Sequence, residues 1–345
     1  MSWMYVTSNI KQTRRLQLVG GSTHIISLPR SWIDDLHLKP GSYLSLVKNQ
    51  NDSITIFQES EKKLHAIATI GKNDSGESIR RKIIAIYLSG YNVIEIRTKG
   101  MEIPGGQRGI IRDLVRTTLM GTEIIEASSE RMVLQVLTQL AQLSFDVALK
   151  RMYITTANMH RDAIHALKEF DTDYADEVTK MDDEVDRFAL YMMRNLSLAL
   201  EDMQILLDSG LKKSSECLEY RSIVKFVERI ADHAALVAKK VKHLNSPIDK
   251  KTMIEVEAIS IESLSVFENS MTALSKRDYS LAEKTAASVS CVIEREKKLM
   301  NTLKQDSNVA ILKLILEDIR RTAEYSSDIA EVVMDGTVHT VVKAV

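Results

Sequence analysis

Two pairs of acidic residues have the spacing expected of cation ligands on helices. Asp182 and Asp186 are four residues apart at one edge of an apolar helical stripe, and Glu228 and Asp232 are four apart on a later helical segment. Residues at this spacing share a helix face, where like charges cost about 0.2 to 0.5 kcal/mol per pair unless a cation neutralises them. The pairs predict oxygen ligands for a divalent or iron-type metal ion, with Fe, Zn, Mg, Mn and Ni all open.

The same acids have an alternative interpretation as a solvated surface. Glu228 and Asp232 lie opposite the apolar stripe of their helix, so both side chains are expected to reach solvent. The nearby cations that could balance them are Lys225, Arg229 and Lys239. His233, beside Asp232, adds little to the metal interpretation, because a single helical histidine is usually structural.

No arrangement of residues indicates a catalytic nucleophile. Cys217 and Cys291 are far apart in helical segments, which favours inert thiols in a reducing compartment. Gly105, Gly106 and Gly109 lack the lysine of a phosphate-binding loop and are typical of a loop before a helix. The chain is therefore not expected to be an enzyme. Metal-dependent chemistry on phosphate compounds is the third alternative, although no general base or arginine cluster accompanies the acids.

A second candidate site is basic and lies near the N-terminus. Basic residues outnumber acidic ones in this region: Lys11, Arg14, Arg15, Arg30, Lys39 and Lys48 against Asp34, Asp35 and Asp52. A dimer built from strands could gather such cations toward DNA phosphates or base edges. The residues assigned to DNA binding are Lys11, Arg14, Arg15, His24 and Arg30. The alternative is ordinary solubilising charge.

The composition limits the class of protein. A chain of 345 residues should form two or three domains, and 44% hydrophobic with 27% charged residues excludes general disorder. Fifteen methionines against 5% aromatics favour helical cores. A net charge of -1 excludes nucleic-acid wrapping over the whole molecule. With no apolar run of about 18 residues, the chain is expected to be cytoplasmic and not an integral membrane protein.

Residues 1–60 are predicted to form a small β module. Apolar segments on either side of Gly20 and Gly21 indicate strands joined by a turn. Residues 43–47 and 54–56, separated by the polar run 49–52, indicate a hairpin. A module this small has too little core to be stable alone, so pairing with a second copy is expected.

The remaining chain is predicted to form two further domains. In residues 61–140, strand and helix periods alternate, which indicates a βαβ unit followed by a helix and a hairpin, and hence a small α+β sandwich. Residues 141–345 are typical of six long helices in two trios, about 144–245 and 248–335. A weak internal repeat supports this, since 166–175 resembles 273–282 and 228–233 resembles 320–325. The fold class is thus multidomain α+β, mainly α.

Several motifs resemble those of archaeal PhoU-family proteins with an N-terminal AbrB/SpoVT-like domain. RLQLVGGST at 15–23, SLPRSW at 27–32 and LKPG at 38–41 look like the swapped-hairpin AbrB module. MDDEVD at 181–186 and VERIADHA at 227–234 look like the metal-binding helices of PhoU domains. The resemblance implies an intertwined homodimer that often binds DNA, followed by helices that bind metal through Asp182, Asp186, Glu228 and Asp232. Residues 61–140 carry no implied role.

The second helical trio departs from the PhoU pattern. Arg320 stands where Glu228 stands, and the counterparts of Asp182 and Asp186 are Val289 and Ile293 or, one turn later, Ile293 and Lys297. Glu324 and Asp328 form another acidic pair, but Asp328 replaces Leu236. The transfer of metal binding to Glu324 and Asp328 is therefore only partial.

The leading hypothesis is a homodimeric transcriptional regulator of phosphate uptake. Its β module would bind DNA, and its PhoU-like helices would sense a metal or a partner. The rival hypothesis is an adaptor that inhibits a membrane phosphate transporter or its sensor kinase and uses the β module only to dimerise. A mobility shift with DNA from its own upstream region, or co-purification with membranes, distinguishes the two.

Overall fold

A computed structural model describes residues 11–48, 53–57, 64–100, 102–137, 144–303 and 307–342. The chain divides into two compact units, Met1–Lys62 and Lys63–Val345. Within the described residues, helices dominate and the strands are confined to the first 136 positions, which agrees with the predicted α+β, mainly α class.

The first unit consists of two short hairpins and one helix. Strands β1 (Gln17–Val19) and β2 (Thr23–Ile25) pair antiparallel, and helix α1 (Arg30–Asp35) follows. Gly20 and Gly21 have φ of +64° and +83°, which explains why glycine is needed at this turn. Strands β3 (Ser45–Lys48) and β4 (Ile54–Phe57) form the second hairpin, whose predicted turn at 49–52 lies outside the described residues.

This first unit has almost no interior of its own. Pro29 is its one buried residue among those the structure describes. Leu18 is 60% exposed, Leu46 67% and Tyr43 95%, although strand and turn residues of this type normally cover a core. Among its described residues, the first unit therefore presents an exposed apolar set of the kind that is typical of an interaction site.

An α+β layer begins the second unit. Its strands are β5 (His65–Ile70), β6 (Val93–Thr98), β7 (Thr122–Ala127) and β8 (Arg131–Val136), and its helices are α2 (Gly76–Leu88) and α3 (Gly105–Thr117). The sheet order is β5-β6-β8-β7, with β5 and β6 parallel and the other pairs antiparallel. Helix α2 connects β5 to the adjacent strand β6, and helix α3 connects β6 to the edge strand β7. The two helices share one apolar core with the sheet.

Long helices form the rest of the second unit. They are α4 (Phe145–Glu169), α5 (Thr172–Glu201), α6 (Met203–Asp208), α7 (Ser214–Val241), α8 (Lys250–Lys276), α9 (Tyr279–Thr302) and α10 (Val309–Thr337). Helices α4, α5 and α7 pack as one trio and α8, α9 and α10 as another, with α7 against α10 and α4 against α8 joining them. The prediction of six helices missed the short α6. It arises because Asp202 leaves α5 in an extended conformation and caps the next turn through Gln204 N and Ile205 N.

The two trios repeat the same local turn between their first and second helices. Phe170 and Arg277 both end a helix in the left-handed region, with φ of 53° and 51°. Asp171 and Asp278 follow them, and each carboxylate accepts a hydrogen bond from the backbone N–H three residues later. The internal repeat predicted from sequence is therefore also present in the backbone and its caps.

The α+β layer contacts the first trio through α2 and α5. The turn after α2 contains Gly90, whose φ is +88°. A Cβ atom at Gly90 would lie 2.7 Å from Leu198 Cδ2 on α5, so the close approach of this turn requires glycine. In the described part of the chain, no helix combines the length and the apolar character that spanning a bilayer needs.

Candidate cation site between two helices

The four acids predicted from spacing face one another across the α5–α7 interface. Asp182 and Asp186 lie on α5, and Glu228 and Asp232 lie on α7. Among the carboxylates, Asp182 is repelled most by Asp232, while Asp186 is repelled by Asp182 and then by Glu228. The two helices thus bring one acid of each pair, Asp182 and Asp232, to the lining of one interhelical groove, with Asp186 and Glu228 close enough to repel them.

The structure corrects the predicted exposure of the two acids on α7. Glu228 and Asp232 are half-buried rather than fully solvated, and the Glu228 side chain is only 15% exposed. The physical reason is that α5 packs along the polar edge of α7, a contact that the periodicity of one helix cannot reveal. Lys225 forms an ion pair with Glu228, as the solvated interpretation suggested.

Burial and mutual repulsion make these carboxylates hard to ionise. Loss of hydration, followed by the nearby carboxylates, raises the pKa of Asp182 to about 6 and that of Asp186 to about 7. Burial also raises the pKa of Glu228 and of Asp232, although Lys225 opposes the shift at both. The groove therefore holds negative charge that the surrounding protein only partly compensates.

The donor chemistry of the groove suits a hard cation. Asp182 Oδ1 is buried and has no hydrogen-bond partner, and all four side chains offer carboxylate oxygens, the donors that hard cations prefer. Across the described residues, no three His, Cys, Asp or Glu side chains converge closely enough to form a ligand set. The acids therefore fit a cation by charge and atom type, and side-chain rearrangement would be needed to complete its coordination.

Residues from α7 and α10 line the open side of the groove. The space has a volume of about 400 Å³ and is lined by Asp182, Lys225, Arg229, Asp232, His233, Leu236, Lys239 and Tyr325. Arg229 lies over the Tyr325 ring at 5.5 Å and donates to its hydroxyl oxygen at 3.2 Å. Tyr325 belongs to the second trio, so the groove is built from both repeats.

His233 has a partner that the sequence analysis missed. Its Nδ1 lies 2.9 Å from Asp318 Oδ1 on α10, and Lys240 forms an ion pair with the other oxygen of Asp318. Asp318 is 6% exposed, and the nearby α10 residues Ile315 and Ile319 are fully buried, so the apolar periodicity of α10 could have indicated a buried acid. A carboxylate that orients a histidine beside a cation site is a recurring second layer of metal centres.

The acids predicted as a weaker second site have other partners. Glu324 accepts hydrogen bonds from Arg320 at one carboxylate oxygen and from Arg321 at the other. Burial raises the pKa of Asp328, with Glu331 and Glu324 adding repulsion. Glu324 is thus neutralised by arginine side chains.

The residues predicted to contact DNA all lie on the surface of the first unit. Lys11, Arg14, Arg15, His24 and Arg30 are exposed. Arg14 donates to Gln12 Oε1 at 2.5 Å, and Arg30 lies 3.7 Å from Asp34 with both side chains largely in solvent. Arg14 and Arg15 precede β1, and Arg30 begins α1. Their charges are therefore accessible.

The segment that carries the four acids resembles a known domain family. Residues 149–241 match the PhoU domain. The match begins within α4, includes α5 and ends with α7, so it contains all four acids, while Tyr325 on α10 lies outside it. The match covers the first helical trio, and the presence of a PhoU domain agrees with the resemblance seen in the motifs.

Two solved structures are similar to the chain. PhoU from Pseudomonas aeruginosa is 22% identical over 55% of this chain and 93% of its own, with a TM-score of 0.46. The phosphate transport system regulatory protein PhoU from Streptococcus pneumoniae is 19% identical over 58% of this chain and 96% of its own, with a TM-score of 0.47. No curated protein matched the chain.

Proposed function

We propose that this chain is a regulator of phosphate uptake that acts as an adaptor on a membrane phosphate transporter or on its sensor kinase. The observation that supports the proposal is the PhoU domain at 149–241, which contains a half-buried acidic groove. The role is regulatory rather than catalytic, and it requires no DNA contact. Under this proposal the PhoU-like helices bind the partner in the cytoplasm.

The acidic groove gives the adaptor a means of responding to cations. A divalent or iron-type ion held by Asp182, Asp186, Glu228 and Asp232 would supply the positive charge that offsets their repulsion. The chain itself contributes the oxygen donors, the burial that strengthens their attraction for a cation, and the Asp318–His233 pair at the groove's edge. Fe, Zn, Mg, Mn and Ni remain equivalent candidates by this chemistry.

The adaptor role predicts an effect on phosphate uptake in cells. Cells without this chain should take up more phosphate at high external phosphate than cells that express it, because the adaptor restrains the transporter. A variant with Asp182, Asp186 and Asp232 changed to Asn and Glu228 to Gln should restore less restraint than wild type. Uptake of labelled phosphate, together with co-purification of the chain with membranes, measures this. Unchanged uptake and no membrane association would contradict the adaptor role.

DNA binding by the first unit is a second candidate function, favoured by its exposed cations. An electrophoretic mobility shift at low salt with the chain's own upstream DNA tests it. Loss of a shift on changing Arg14 and Arg15 to Ala, with the oligomeric state intact, would support a transcriptional role. The absence of a shift at every salt concentration would contradict DNA binding and leave the adaptor role as the remaining candidate.

The first unit is also proposed to form the homodimer. Changing Leu18 and Leu46 to Ser should weaken the dimer at least about 100-fold, because each buried leucine contributes roughly 1.5 to 3 kcal/mol and the dimer holds two copies. Light scattering of the full chain across a concentration series measures the change. Leu314, which is 51% exposed on α10, provides a matched control as Leu314→Ser. An unaltered dimer in the double variant would contradict this assignment.

A further inference from the structure

The second repeat has a groove at the place that corresponds to the acidic groove of the first. It lies between α9 and α10, has a volume of about 570 Å³ and is lined by Ile293, Glu296, Lys297, Met300, Glu317, Arg320 and Glu324. The repeat that aligns Glu228 with Arg320 also aligns Lys225 with Glu317 and Asp232 with Glu324. The two grooves can therefore be compared position by position.

The charges at two of these positions are reversed between the repeats. In the first repeat, Lys225 pairs with Glu228 along α7. At the corresponding positions of α10, the acid comes first, and Glu317 lies 3.7 Å from Arg320 Nη2. The basic side chain is therefore on the helix surface in the first repeat, where Lys225 is 46% exposed. It is more buried in the second repeat, where Arg320 is 20% exposed.

The guanidinium of Arg320 faces a different carboxylate with each of its nitrogens. Nε donates to Glu296 Oε1 at 3.2 Å, Nη1 pairs with Glu324, and Nη2 lies near Glu317. Glu296 is 3% exposed, so its charge is tolerated only with a partner. One arginine thus serves three carboxylates from two helices, which is the arrangement that a bound cation would otherwise have to provide.

We propose that Arg320 is a built-in cation that takes the place of a metal ion in the second repeat. The residues of the α9–α10 groove do not fit a metal, because the guanidinium already occupies the space among their carboxylates. The second repeat is therefore held together without any ion, and removal of the Arg320 charge turns its groove into a divalent-cation site. This inference goes beyond the proposed function and stands without it.

The test uses the full chain with the first groove disabled by the four amide substitutions at Asp182, Asp186, Glu228 and Asp232. In this background, Arg320→Ala should lower Tm by roughly 4 to 8 °C in chelator, because the buried Glu296 loses the partner that offsets its desolvation. Mn²⁺ at millimolar concentration should restore most of that loss, and equilibrium dialysis should find about one Mn²⁺ per chain. Tm is measured by scanning calorimetry.

Arg321→Ala is the matched control. Arg321 is the next residue, is 41% exposed and pairs with the same Glu317 and Glu324, but makes no contact with Glu296 among the described residues. It should change Tm little and create no Mn²⁺ site. A loss no larger in Arg320→Ala than in Arg321→Ala, or the absence of Mn²⁺ rescue, overturns the proposal.

A refolding experiment covers the case in which Arg320→Ala does not fold in chelator. Recovery of folded protein by refolding with Mn²⁺ but not with chelator then supports the proposal, and recovery in neither overturns it. A second variant, Glu296→Gln combined with Arg320→Met, removes the buried pair as a whole. This variant should therefore fold in chelator and show no response to Mn²⁺. Stabilisation of this variant by Mn²⁺ equal to that of Arg320→Ala also overturns the assignment.

Discussion

Arg194→Met is expected to lower the free energy of unfolding by about 2 to 4 kcal/mol and Tm by roughly 5 to 10 °C. Arg194 lies on α5, is 3% exposed, and joins the first trio to the α+β layer. Its guanidinium donates to the carbonyl oxygens of Tyr87 and Gly90 and to Asn92 Oδ1, and stacks 4.8 Å from the Tyr87 ring centroid. Methionine preserves much of the volume but removes all three guanidinium hydrogen bonds, and Tyr87 O keeps only the bond from Gly90 N–H.

Hydrogen exchange locates the effect of Arg194→Met. Backbone amides around the turn after α2 should exchange faster than in wild type, because that turn loses its attachment to α5. Arg187→Met is the control, since Arg187 lies on the same helix and its buried Nε has no hydrogen-bond partner. Equal losses of Tm in the two variants, or unchanged exchange at the turn, would show that Arg194 does not join the two parts.

Asp182→Asn combined with Asp186→Asn is expected to remove a pH-dependent loss of stability. Both carboxyls have a pKa raised from the ordinary 3.8, to about 6 and about 7. A raised pKa in the folded protein means that the contribution of this pair to stability is greatest below about pH 4 and is lost as the pH rises through 6 and 7. After discounting for the partial exposure of both carboxyls, the free energy of unfolding of the variant in chelator should exceed that of wild type by about 2 to 3 kcal/mol at pH 8.

The difference between the two unfolding curves isolates this pair from other carboxyls. Hydrogen bonds from Arg97 at Glu95 and from the Gly71 backbone at Asp74 lower the pKa of those groups, which gives wild type an opposite slope at low pH. Those contributions are equal in both proteins and cancel in the difference. A difference that stays constant from pH 4 to pH 8 would contradict the proposed burial and repulsion at Asp182 and Asp186.

Cation binding should bring these two proteins to nearly the same free energy of unfolding at pH 8. Mn²⁺ at about 100 times its Kd should stabilise wild type by about 2.7 kcal/mol at pH 8 and leave the double variant unchanged. Metal analysis of the purified proteins should show the same contrast. Asp183→Asn is the control, because Asp183 is the exposed neighbour on α5. Equal metal content in wild type and in the double variant would contradict cation binding by Asp182 and Asp186.

The groove connects the two repeats as well as the two helices that carry its acids. Tyr325 lines the groove from α10, and Asp318 of α10 holds His233 at its edge. Under the proposed function, a cation held between α5 and α7 would therefore act on residues packed against the second trio. In the second trio, Arg320 already neutralises the carboxylates of the groove. Under the two proposals, the first repeat would therefore respond to cations and the second would not.

The sequence alone determined the long helices and the spacing of the acids, while it left the short α6 unpredicted. Apolar periodicity predicted the long helices, and Asp171 and Asp278 cap α5 and α9 by bonds that need only neighbouring residues. The four-residue spacing placed Asp182 with Asp186 and Glu228 with Asp232. These are local properties, so they can be predicted without knowledge of the tertiary contacts.

Only the tertiary structure decided what each charged group faces. The raised pKa of Asp186 depends on α7 packing beside α5, and the neutralisation of Glu296 depends on a guanidinium from α10. Arg194 finds its acceptors more than a hundred residues away in sequence. Burial and Coulomb energy depend on distance and on the exclusion of water between helices, and neither quantity is contained in the periodicity of one helix.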